Sequence, residues 1–142
     1  MKWLAMLSAS VLCGATYASA TEWPVENTLL RGYQCYTVNE QALNLTQDDY
    51  FSGQKFPVIL ANPQAGSKPV GRVPAIFYVT WPLKVENGFA QVLYHTDRLG
   101  WIPRSDIRAL RKPDGSSGGC NLWWGKDGRI MFALDPGVGI RN

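Results

Sequence analysis

Between residues 57 and 110 lies a series of short apolar segments, each cut off before it can lengthen. They are residues 57–60 (PVIL), 76–81 (IFYVTW), 89–94 (FAQVLY) and 100–103 (GWIP). Asn62-Pro63, Pro82, Asn87-Gly88 and the stretch 97–100 punctuate them. Runs of this length, rich in β-branched and aromatic residues and bounded by turn formers, are strands. Asn-Gly between two such runs is a hairpin signal, because both turn residues must take positive φ. The expectation is an all-β domain that binds, with no long amphipathic helix.

The flanks are less regular. Residues 29–38 carry Cys35 in a strand where Tyr33, Cys35 and Thr37 alternate with Gln34, Tyr36 and Val38. Residues 40–45 read as a short helical turn capped by Asn39, with a strand as the alternative. Asp48, Asp49, Ser52 and Gly53 read as loop. After Pro103, Arg104-Ser105-Asp106 suggests a single helical turn before a strand at 107–110. Residues 122–126 and 129–134 flank Asp127-Gly128 as a second hairpin. Lys126 and Arg129 would then face each other as like charges, tolerable at an exposed end.

The first twenty residues are read as a cleaved secretory signal. Lys2 opens it, an apolar stretch follows, and Ala18-Ser19-Ala20 supplies the small residues at a cleavage site. The apolar run is shorter than the roughly 20 residues a membrane span needs. Cys13 would leave with it, because Leu12 is the wrong residue before a lipidated cysteine. What remains is roughly 120 residues, the size of one domain with one modest core. The whole chain carries a formal charge of +3, too small and too evenly spread to argue for nucleic acid. The local excess at Arg104, Arg108, Arg111 and Lys112 is read as a solvated edge. Two cysteines, Cys35 and Cys120, would survive export, and an even number in an exported chain points to one disulfide. A metal site lacks partners: His95 is the only histidine and no CxxC or HxxH spacing exists.

Taken in order, Val70-Gly71, the strand 76–81, Gly88-Phe89-Ala90-Gln91-Val92 and Gly100-Trp101-Ile102 with its helical turn resemble a bacterial SH3-like domain. The resemblance covers residues 59–110. The Leu-Asn-x-Arg opening common in that family is missing near residues 58–60, and Asn44-Leu45 lies too far upstream to replace it. The resemblance implies a small SH3-like barrel of about five antiparallel strands. The chain would then divide into a signal (1–20), an N-terminal extension (21–53), the barrel (54–112), and a C-terminal hairpin and tail (113–142) packed on the same domain. A Cys35–Cys120 bond would join the two additions.

No reaction centre is visible. His95 sits in His-Thr-Asp-Arg, which reads as an exposed turn, and no GxSxG or comparable nucleophile context surrounds any serine. Adjacent Asp48 and Asp49 would diverge in a strand, whereas acid–base carboxylates must converge. Residues 115–119 lack the ending of a phosphate loop. Aromatic side chains are the better lead. Trp81, Phe89 and Tyr94 are candidates to line a groove. Trp101 is read first as packing in the closing strand and second as a ligand contact. Trp123 and Trp124 are consecutive, so one faces in and Trp124 is the candidate for an exposed, ligand-stacking ring. The expected protein is an exported, monomeric binding domain without a cofactor. Cell-wall peptides are the ligand class the resemblance implies. The alternative is a stand-alone factor that binds a protein partner.

Overall fold

The computed structural model describes residues 30–95, 97–112, 114–116, 119–125 and 128–134. The proposed signal segment and the tail after residue 134 lie outside the described residues.

Ten strands and one short helix make up the described chain: β1 (Tyr33–Val38), α1 (Gln47–Ser52), β2 (Val58–Leu60), β3 (Pro69–Arg72), β4 (Ile76–Thr80), β5 (Val85–Glu86), β6 (Phe89–Tyr94), β7 (Arg98–Pro103), β8 (Ile107–Ala109), β9 (Cys120–Trp124) and β10 (Ile130–Leu134). The all-β reading holds. Eight strands form one antiparallel sheet in the order β3-β2-β7-β6-β4-β1-β8, with β5 paired to β6. Among the described residues no closed barrel is found, and the sheet is larger than the five strands expected. β9 and β10 form a separate hairpin.

β1 lies inside the main sheet, antiparallel to β4 on one side (Cys35 opposite Tyr78) and to β8 on the other (Thr37 opposite Arg108). β8 has no other strand partner among the described residues. The chain reverses from β7 into β8 through a 3₁₀ turn at Arg104–Asp106, as the Pro-Arg-Ser-Asp sequence suggested. Asn87 and Gly88 take φ of 51° and 80° between β5 and β6, the backbone a tight hairpin turn requires.

The segment read as loop around Asp48 and Asp49 is helical. Thr46 accepts from the Asp49 backbone N–H at 3.2 Å, and the Asp49 carboxylate accepts from the Thr46 N–H at 3.0 Å. This reciprocal cap satisfies donors that a one-turn helix would otherwise leave open. Gly53 closes it in the left-handed conformation (φ 65°). The turn at 40–45 forms as expected, with Asn39 Oδ1 accepting from Ala42 N at 3.3 Å.

Strand alternation divides the molecule into two apolar layers. One face of the sheet buries Tyr36, Val38, Phe77, Val79, Ala90, Val92, Ile102 and Ile107 in the main core, closed by Phe56, Ile59 and Val73. The other face carries Cys35, which bonds to Cys120 with a Cα–Cα distance of 5.8 Å. Around that disulfide Leu110 and Leu122 form a second cluster, with Tyr33, Ile76, Tyr78 and Ile130 packed on it. The hairpin is thus tied across β1 by its own apolar face. Trp124 stands opposite Ile130, and the Gly125 N–H bonds the Arg129 carbonyl at 2.7 Å. Arg129 therefore faces Gly125, not Lys126. Lys126 and Asp127 lie outside the described residues.

Candidate functional site

The sheet leaves a cleft where the link between β3 and β4 meets the turn after β6. It holds about 370 Å³ and is lined by Arg72, Val73, Pro74, Ile76, Tyr78, Tyr94 and His95 among others. Pro74 has no backbone N–H to give a ladder, so the chain leaves β3 before re-entering as β4. Ile59, Val73 and Phe77 are main-core residues whose edges make the floor. The walls therefore rest on close-packed structure, and the polar groups lie above them.

Each polar wall is positioned by a separate local cause. Arg72 Nη1 donates to the carbonyls of Gln54, at 2.6 Å, and Phe56, which fixes the guanidinium at the α1–β2 link. Tyr78 sits at the middle of β4 opposite Leu93, and partial burial pushes its phenol above the ordinary tyrosine range. A half-buried phenol of this kind stays protonated and able to donate at neutral pH. Tyr94 ends β6, and His95 follows with φ 51°. That positive φ turns the imidazole back beside the Tyr94 ring, centroids 5.3 Å apart and planes at 60°. The cleft thus offers one cation, two phenols and an imidazole over an apolar floor. None of its lining residues is Asp, Glu, Ser, Thr or Cys. No group of three metal-ligating side chains occurs among the described residues.

The aromatic residues singled out in the sequence do not share this cleft. Tyr94 alone lines it. Phe89 and Tyr94 are five positions apart on β6, so they point to opposite faces at opposite ends of the strand. Trp81 follows β4 and is 51% exposed; its N–H bonds the Gly32 carbonyl at 2.8 Å and ends the β1–β4 ladder. Trp101 is only 7% exposed, opposite Gln91 and Leu60, with the Lys84 ammonium 5.4 Å from its ring centre. Trp124 is 38% exposed at the hairpin, while Trp123 is buried, so the consecutive tryptophans do diverge. Arg72, Tyr78 and His95 were not placed in a common site from the sequence. Only the pairing of β4 with β6, and the return of β3, brings them near one another.

No protein family, curated protein or solved structure matches this chain.

Proposed function

We propose that this chain is an exported, non-catalytic binding domain of the cell envelope, an SH3-like variant whose cleft takes a short peptide such as a peptidoglycan stem. The observation that carries the reading is the composition of the cleft: Arg72, Tyr78, Tyr94 and His95 set around an apolar floor, with no carboxylate or hydroxyl nucleophile in the lining. A cation suits a peptide carboxylate, aromatic walls suit peptide bonds and small side chains, and neither calls for chemistry. The SH3-like reading is supported by Gly100-Trp101-Ile102 on β7 followed by the 3₁₀ turn and β8. Export is supported by the signal-like first twenty residues and by the Cys35–Cys120 disulfide, which belongs in an oxidising compartment.

The test is co-sedimentation of the purified protein with isolated cell-wall sacculi at low and high salt. Binding that resists salt and is lost in Tyr94→Ala/His95→Ala, but kept in Trp81→Ala, supports the cleft. Absence of sedimentation at low salt overturns it. The second reading, a periplasmic factor that binds a protein, is favoured by apolar side chains away from the cleft, above all Phe51 on α1, which is 74% exposed. Crosslinking in the intact envelope to one stoichiometric partner is its positive result.

A further inference from the structure

We infer that the cleft receives the free C-terminus of a peptide, with the α-carboxylate on the Nε/Nη2 edge of Arg72 and the last side chain on the apolar floor. It presupposes that the cleft binds a peptide, as proposed above. The way Arg72 is tied leads there. Its Nη1 donates to two carbonyls, those of Gln54 and Phe56. A nitrogen with two hydrogens is then fully used. Nε–H and both hydrogens of Nη2 keep no acceptor among the described residues. A planar guanidinium sets Nε–H and one Nη2–H parallel on the edge away from Nη1, a fork that matches the two oxygens of one carboxylate. Elsewhere in the molecule that fork is filled: Arg108 Nε and Nη2 donate to Glu40 Oε2 and Oε1, both at 3.0 Å. Arg72 has the same edge, fixed before a ligand arrives, and no Asp or Glu lines the cleft to occupy it.

The rest of the lining says which carboxylate fits. An Asp or Glu side chain would bring a main chain with amides on both sides against Ile59, Val73 and Phe77, whose side chains offer those amides no partner. A terminal α-carboxylate enters with one peptide bond behind it, and its own side chain meets the floor. The Tyr78 and Tyr94 hydroxyls make no hydrogen bond among the described residues. Each is free to donate to the carbonyl of that peptide bond or to accept from its N–H. The volume, about 370 Å³, lies at the small end of the roughly 300–1,000 Å³ of ligand sites, which suits a chain end better than a segment running through. A phosphate, with nearly two negative charges, would call for a second fixed cation, and no lysine or further arginine lines the cleft.

Two probes that differ in a single group supply the test: N-acetyl-trialanine with a free carboxylate, and the same peptide as its C-terminal amide, each in the L and D series. They are titrated to millimolar concentration into the isotope-labelled purified protein. Nuclear magnetic resonance follows the Arg72 Nε–H and the backbone signals of Tyr94 and His95. In at least one series the acid should move all three signals and bind about tenfold or more tightly than the amide, the worth of charge-assisted hydrogen bonds. Arg72→Lys keeps a charge but has no planar fork, so the acid should lose most of that advantage, with the Trp101 and Trp123 indole signals reporting that the variant is folded. If the variant does not fold, the comparison of acid with amide on the wild type still decides. Equal binding of acid and amide at the cleft overturns the carboxylate assignment and leaves peptide binding standing. No movement of the Arg72 signal with any of the probes overturns the assignment too, and sedimentation with sacculi then judges the wider reading separately.

Discussion

A methyl group at position 100 has no room. A Cβ built on Gly100 overlaps the Ile59 side chain and lies 3.1 Å from the Leu60 carbonyl oxygen and 3.2 Å from the Tyr94 ring. The glycine is needed because the Ile59 side chain of the neighbouring strand β2 occupies the space beside it, not because of an unusual φ. Gly100→Ala should destabilise the protein by about 1–3 kcal/mol, the usual cost of overpacking a dense interior; an unchanged urea midpoint would refute the close approach. Asp49 acts through its charge. Its hydrogen bond with Lys55, with the two bonds to Thr46, holds the carboxyl down to about 2 from an ordinary 3.8. A carboxyl held low in the folded state binds its proton more readily when unfolded. Its contribution is therefore present above about pH 4 and is lost as pH falls towards 2. Asp49→Asn should flatten the acid limb of the stability profile over that window, read as urea midpoints at stepped pH.

At the scale of elements, the hairpin β9–β10 depends on one covalent tie and one apolar face. Cys35 is fully buried on β1, and the bond to Cys120 closes a loop with a sequence separation of 85. Chain-entropy reasoning puts the stabilisation from such a loop at up to about 4–5 kcal/mol. Cys35→Ala should lower the melting temperature clearly, and the wild type should show no free thiol at these two cysteines by mass spectrometry; two free thiols would remove the tie. The helix α1 teaches a different point. Its six residues have no buried side chain, so no apolar periodicity announces it. A Thr-x-x-Asp cap and the contact of Tyr50 with the core hold it, and a cap spelled with Asp is easily read as loop.

Across the whole molecule, the strand that holds the sheet together, β1, comes from outside residues 54–112, the stretch expected from the sequence to fold as the barrel. β1 is the only strand bonded to β8 and the main neighbour of β4 among the described residues. A fragment spanning residues 54–112 therefore loses β1, the disulfide and the second cluster. It should not melt cooperatively at the temperature of the full chain; if it did, β1 would be an accessory to the fold. Local sequence missed β5 and read residues 97–100 as a turn where β7 already begins at Arg98, but it was enough for the other strands of residues 58–110, the Asn87-Gly88 turn, the 3₁₀ turn after Pro103 and the pairing of Cys35 with Cys120. Each of these is local, or follows from the two cysteines left once Cys13 is set aside with the first twenty residues, and alternation and turn chemistry act over a few residues. Long-range packing alone put β1 between β4 and β8, parted Phe89 from Tyr94, and brought Arg72, Tyr78 and His95 together around one cleft. Those outcomes depend on which strand lies beside which. Side-chain burial summed over the whole sheet settles that choice, and no short window of sequence contains it.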